Sequence, residues 1–181
     1  MTLTFKHDVP ILDAACVINL YASGKMAEIL GAVPTEITIA AYVAEKEALM
    51  IRGVDENQSI NLEPMVDDGL ITIVTFDTEE EEETALSIAA VLDQGEADTG
   101  AIAIHRDWAM ATDDRKARNL LAVKIETLQL VYTLDIVRHW ANVNNIASAE
   151  IKTVLQNIRT AGRYKPRKSN PHYEWWKQLM P

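Results

Sequence analysis

Hydrophobic residues fall along this chain in short runs separated by longer amphipathic stretches, the spacing expected of strands alternating with helices. Residues 9–13 form an apolar run ending in Asp13, followed by a helical pattern through Tyr21 and a short helix over 25–30. Residues 36–40 read as a second strand, 41–52 as a helix, and 55–68 as a polar connection with some helix. The β-branched run at 70–76 is strand-like. Thr78 with Glu81, and Asp93 with Glu96, are capping-box patterns, opening helices that run to Leu92 and to about Arg106. Residues 108–112 form the next strand. The segment from Asp113 opens a helix through Lys124, and a strand at 128–133 and helices at 135–143 and 147–161 follow. This alternation predicts an α/β fold with a mostly parallel central sheet of about five strands, covered on both faces. In such a sheet ligands gather outside the carboxyl ends of the strands.

The length of 181 residues and a hydrophobic fraction of 48% suit one domain with an appendage. Residues 1–161 are expected to form that domain, and 162–181 a basic, aromatic C-terminal tail. The first apolar stretch, 11–22, is broken by Asp13 and lacks the marks of a cleavable signal. No uncharged run approaches the length of a membrane helix. The single Cys16 cannot form an internal disulfide. A cytoplasmic address without membrane association is the expectation.

Charge sharpens the picture. The chain carries a formal net charge of −10, yet its last stretch, 151–181, holds seven of the 17 Lys and Arg residues and one acid, Glu174. The acidic body should repel a polyanion over its general surface, whereas the tail can attract one.

Acids stand where an α/β sheet places its reactive edge: Asp13 after the first strand, and Asp113 and Asp114 after the fourth. Glu45 and Glu96 lie early in the helices after the second strand and after the acidic helix. Such a cluster repels itself unless cations occupy it, and oxygen ligands without Cys or paired His suit Mg²⁺ or Mn²⁺. A carboxylate nest of this kind suits phosphodiester hydrolysis. Taken singly, Asp93, Glu96, Asp113 and Asp114 read equally well as helix caps and Glu45 as a solvated position. Asp13 does not, because it interrupts a strand that should be buried.

Four segments in order, Ile11-Leu12-Asp13-Ala14-Ala15-Cys16-Val17-Ile18-Asn19-Leu20, Ile37-Thr38-Ile39-Ala40-Ala41-Tyr42-Val43-Ala44-Glu45, Gly95-Glu96-Ala97-Asp98 and Ala111-Thr112-Asp113-Asp114-Arg115-Lys116-Ala117-Arg118, resemble the PIN-domain ribonucleases. The resemblance covers about residues 9–140. It implies a three-layer α/β/α fold and Mg²⁺- or Mn²⁺-dependent endonucleolytic cleavage of RNA. It also implies the toxin role of a VapC-type toxin–antitoxin pair, with a cognate antitoxin as partner, and a homodimer. By the same resemblance Asp13, Glu96 and Asp113 or Asp114 are the metal ligands, and Glu45 completes the catalytic quartet. Glu47 competes with Glu45 and Asp98 with Glu96. On a helix a spacing of two residues puts the members of each pair on nearly opposite faces, so one of each faces the site.

Asn19, Thr112 and Arg115 are secondary candidates, for orienting a carboxylate or meeting a phosphate. His105 has no His or Cys at ligand spacing and reads as a polar helix end. Glu79 to Glu83 read as a solvated helix N-terminus favoured by the dipole. The tail interleaves cations with Tyr164, Tyr173, Trp175 and Trp176. That pattern suits single-stranded RNA, and equally a tail that docks its Trp pair on the domain or on a partner. The competing functional class is a non-catalytic PIN-like module that binds RNA or protein. A haloacid dehalogenase-type phosphatase would want a second Asp where Ala15 stands, and no Gly-x-Gly-x-x-Gly follows a strand to bind a dinucleotide.

Overall fold

The computed structural model describes residues 3, 5, 9–47, 49–53 and 55–180. Five strands, β1 (Pro10–Leu12), β2 (Ile37–Ala40), β5 (Ile71–Val74), β6 (Ala109–Ala111) and β7 (Leu130–Val131), form one sheet in the order β5-β2-β1-β6-β7, every pairing parallel. A separate antiparallel ribbon pairs β3 (Met50–Arg52) with β4 (Asn57–Ser59).

The three central strands are short and wholly buried, which is why they read as continuous apolar runs and not as alternating ones. One helical layer contains α1 (Ala14–Ala22), α2 (Met26–Gly31), α8 (Thr133–Val143) and α9 (Ser148–Thr160), which pack on one another. The other contains α3 (Ala41–Glu45), α5 (Glu79–Ala89), α6 (Gln94–His105) and α7 (Arg115–Lys124). Here α6 lies directly on β1, β2 and β6. Its small residues permit that approach: Ala97, Ala101 and Ala103 are fully buried, and a Cβ at Gly100 would already touch Leu121 of α7 at 3.4 Å. The short helices α4 (Glu63–Asp67) and α10 (Tyr173–Leu179) complete the chain. The result is the three-layer α/β/α arrangement expected, with the chain crossing from β5 over to β6 on the far side of β1. The carboxyl ends of β1 and β6 therefore flank the switch point of the sheet.

Two expectations are corrected. The helix expected over 41–52 stops at Glu45, where Lys46 caps it, and the chain goes on to β3. The connection expected over 55–68 contains a strand, β4, whose residues are all exposed and so carry no hydrophobic pattern. The ribbon is tied to the body where Arg52 donates its backbone N–H to the Ala161 carbonyl at 2.9 Å. Ala48, within the expected helix, and Pro181, at the end of the expected tail, lie outside the described residues. Among the described residues no helix is long and apolar enough to cross a membrane.

Candidate active site

Asp13 follows β1 and caps α1, its Oδ1 accepting the Cys16 backbone N–H at 2.8 Å. It is 1% exposed. Burial pushes its carboxyl up to about 7; hydrogen bonds from Thr112 and Cys16 oppose the rise, and nearby Asp113 adds to it. Thr112, itself fully buried at the end of β6, also accepts the Asp114 backbone N–H at 3.1 Å. One hydroxyl thus links the acids that follow the two central strands.

Asp113 and Asp114 are adjacent in sequence and differ in surroundings. Asp114 caps α7, and its Oδ1 alone accepts from the backbone N–H groups of Lys116 and Ala117, at 2.6 and 2.9 Å. Asp113 receives four donors: Asn19 Nδ2 at 3.0 Å and Thr133 Oγ1 at 2.5 Å on Oδ2, Thr133 N at 3.3 Å and Tyr164 Oη at 3.2 Å on Oδ1. A carboxylate offers about four acceptor positions, so Asp113 has its capacity filled by the protein. Burial nevertheless raises its pKa, against those four hydrogen bonds. Thr133 and Tyr164 carry no signal in the sequence, lying 20 and 51 residues from the acid that they bind.

Glu96 sits half-buried in the first turn of α6, which Asp93 caps by accepting its N–H at 3.1 Å. It is pushed up to about 7, first by burial and then by Asp93, Asp114 and Asp13. The structure therefore brings Glu96, Asp114 and Asp13 into one electrostatic neighbourhood. Asp98, nearly opposite on the helix, is 7% exposed, accepts from Gln94 Nε2 at 2.5 Å and is raised by burial.

Glu45 is exposed at the end of α3, and among the described contacts none ties it to Asp13, Glu96 or Asp114. The acid that reaches α6 is Glu47, raised by burial and by Asp93 and Asp98. Its Oε1 lies 1.6 Å from where a Cβ at position 95 would stand, so Gly95 is what admits it. Opposite helix faces do not decide between Glu45 and Glu47, because Glu47 lies beyond the helix and its N–H reaches back to the Tyr42 carbonyl at 3.2 Å.

The remaining candidates fall as follows. Asn19 is 3% exposed and bound to Asp113, whereas Arg115 is exposed at the start of α7. His105 is exposed and holds the Thr84 hydroxyl at 2.8 Å. Within the acidic run expected to be solvated, Glu81 is an exception. It is 2% exposed and forked by Arg106 through Nε at 2.7 Å and a terminal nitrogen at 2.9 Å. Of the tail aromatics, Trp176 is 2% exposed and meets the Tyr164 ring edge-on at 6.1 Å, so it packs on the domain and leaves no face for a base.

The donors around the switch point are carboxylate oxygens, the chemistry of a hard divalent cation. Burial lifts Asp13 and Glu96 first and neighbouring acids add to it; a bound cation would oppose both by favouring the charged carboxylates. Among the described residues, no three of His, Cys, Asp and Glu stand close enough together to grip an ion as the side chains lie.

Comparisons with curated proteins and with solved structures returned no match. A family model described as a PIN domain matches residues 9–170, a span that includes every candidate site acid and the start of the tail. PIN domains are typically nucleases, which sets the chain among the hydrolases at that coarse level. A match over nearly the whole length settles the family: the chain belongs to the PIN domains.

Proposed function

We propose that this chain is a Mg²⁺- or Mn²⁺-dependent endoribonuclease that hydrolyses RNA phosphodiester bonds to 5′-phosphate and 3′-hydroxyl ends. The observation that carries this reading is the meeting of acids from three elements at the carboxyl ends of β1 and β6: the Thr112 hydroxyl bonds both Asp13 and the Asp114 backbone, and Glu96, in the first turn of α6, feels the charge of both acids. Asp13, Glu96 and the uncapped oxygen of Asp114 would hold the ion. When bound, the ion supplies Lewis acidity at a phosphoryl oxygen and lowers the pKa of water.

The chain's own residues do the rest. Thr112 fixes Asp13 relative to Asp114, and Asp113, with its four donors, ties Asn19 of α1, Thr133 of α8 and Tyr164 into one rigid wall. We assign Asp113 a positioning part and Asp114 the ligand part. Glu47 takes the place that Glu45 would fill, beside the first turn of α6.

The wider role proposed is that of a toxin neutralised by a cognate antitoxin and acting as a homodimer in the cytoplasm, a role that the resemblance of about residues 9–140 to the PIN-domain ribonucleases implies. The test is cleavage of a panel of structured RNAs in Mn²⁺ by wild type, Asp13→Asn and Glu96→Gln. Both substitutions keep shape and remove charge. Loss of cleavage in both supports the reading, and a wild-type rate in either ends it. A second reading, a PIN-like module that binds RNA or protein without cutting, is favoured because no three acid, His or Cys side chains among the described residues are placed to hold an ion as they lie. It predicts no cleavage by the wild type under any divalent ion.

A further inference from the structure

The cations of the tail are gathered in space as well as in sequence. A cavity of about 430 Å³ opens beside Asp113, with Arg115 at the start of α7 and Arg163, Lys165 and Arg167 of the tail among its lining. A second, wider depression of about 860 Å³ is lined by Arg52 of the β3–β4 ribbon, Arg159 of α9, and again Arg163, Tyr164 and Lys165. Arg163, Tyr164 and Lys165 line both, so the two depressions adjoin at these residues. Among the described residues none of these six cations makes an ion pair, and all six are exposed. Arg118 is not one of them. Its guanidinium donates to the carbonyls of Thr112, Val131 and Leu130 and lies 3.4 Å over the Tyr132 ring, so it closes the floor.

The groove is held by bonds on both sides of its cations. Ahead of them, Arg52 N–H bonds Ala161, and a Cβ at Gly162 would come within 2.7 Å of Asn19 Oδ1, so the backbone presses against the residue that holds Asp113. Beyond them, the buried Asn170 donates to the Tyr164 hydroxyl at 3.4 Å, and that hydroxyl donates to Asp113. Arg163 between these ties has φ +57, a left-handed conformation that a non-glycine residue keeps only where its surroundings impose it. Arg163 lines both depressions.

Exposed cations without an ion pair among the described residues, spread over two adjoining depressions on a chain of net charge −10, fit an extended polyanion. The recess beside Asp113 is of small-ligand size, so the strand that enters it must present an unpaired nucleotide. We propose that Arg52, Arg159, Arg163, Lys165, Arg167 and Arg115 form a groove that holds the phosphate backbone of single-stranded RNA on one side of the bond to be cut, with Arg163 joining its two halves. This rests on the nuclease reading and adds the elements that deliver substrate to it.

The test uses the full chain in EDTA, so that binding is read without turnover. The probe is a short labelled oligouridylate, and its affinity is followed by fluorescence anisotropy over a salt series. For the triple variant Arg163→Ala, Lys165→Ala, Arg167→Ala, binding should weaken at least about tenfold. Its log–log salt slope should flatten by about 2, three phosphates at about 0.7 each. Arg163→Gly, which accepts the left-handed backbone without strain, should flatten it by about 0.7. Lys46→Ala with Lys177→Ala, two exposed cations that line neither depression, should leave the slope unchanged. An unchanged slope in the triple variant, an equal flattening in the control pair, or displacement of the probe by polyglutamate as readily as by unlabelled strand would overturn the groove. Because cleavage is not measured here, a protein that grips the strand without cutting keeps the groove and loses the nuclease reading. One that cuts while its slope ignores the triple variant does the reverse.

Discussion

The Tyr164 hydroxyl donates to Asp113 Oδ1 at 3.2 Å, joining the tail to the acid that follows β6. That bond is the fourth on a carboxylate already held by Asn19 and Thr133, while the neighbouring Asp114 keeps one oxygen clear of the protein donors described. The two acids should therefore separate under substitution. Asp113→Asn turns an acceptor into a donor facing donors and should cost about 1–3 kcal/mol of stability. Asp114→Asn, with Asn equally good as a helix cap, should leave stability within about 0.5 kcal/mol and lower cleavage at least about tenfold, the scale of losses at metal-site residues. Thermal melting and initial rates in Mn²⁺ decide it, and the reverse pattern would exchange the two assignments.

Gly95 and Glu47 give a second separation. A methyl group at position 95 would collide with the Glu47 carboxylate, which is the flexible end of a side chain and can swing away. Ala is also the better helix residue by about 0.5–1 kcal/mol. Gly95→Ala should thus be close to neutral in melting, yet reproduce the rate loss of Glu47→Gln. Glu45→Gln, at an exposed position, should cleave within about twofold of wild type, since surface changes shift energies by about 0.5 kcal/mol or less. A Glu45 variant slower than the Glu47 variant would return the catalytic place to Glu45.

Asp13 and Glu96 make stability depend on pH and on divalent ions together. Both carboxyls are raised on folding to about 7, from 3.8 and 4.5. Protonation of a raised acid favours the fold, so their contribution is fully present below the unfolded values and is lost as pH rises through about 7. An ion that favours the charged forms offsets that loss. Mn²⁺ should therefore raise the melting temperature more at about pH 8 than at about pH 5.5. The double variant Asp13→Asn, Glu96→Gln should lose the difference. Equal shifts at both pH values would mean that the ion binds elsewhere.

Away from the site, Arg106 forks the buried Glu81 and also reaches the Thr75 carbonyl and Asp77. Arg106→Ala leaves that carboxylate without its cation and should cost about 1–3 kcal/mol. In a chain of this size each kcal/mol lowers the melting temperature by about 2–4 °C. Cleavage per folded molecule should not change, and a variant with wild-type melting would show that the fork is not structural.

What the sequence made legible was local. Pro10 to Leu12 and Ala109 to Ala111 are buried on both faces, so their apolar runs stood out, and the acids that follow them marked the sheet's switch point. Thr78 and Asp93 cap their helices through contacts three residues long. What stayed hidden depends on distant partners or on the lack of a buried face. The strand Asn57–Ser59 is exposed throughout. Glu81 is buried because of Arg106, 25 residues on. Glu47 reaches α6 because a helix ends five residues into a segment whose composition would carry it further.

The bond from Tyr164 to Asp113 also orders events during synthesis. The acids after β1 and β6 are made before the segment that covers them, and 51 residues separate the two ends of that bond. At the usual pace of translation, about 5–20 residues per second, the interval is roughly 3–10 s. For that time a nascent chain carries Asp13, Asp113 and Asp114 while Arg163, Lys165 and Arg167 are still to be added, so the acidic centre is made before the tail that faces it.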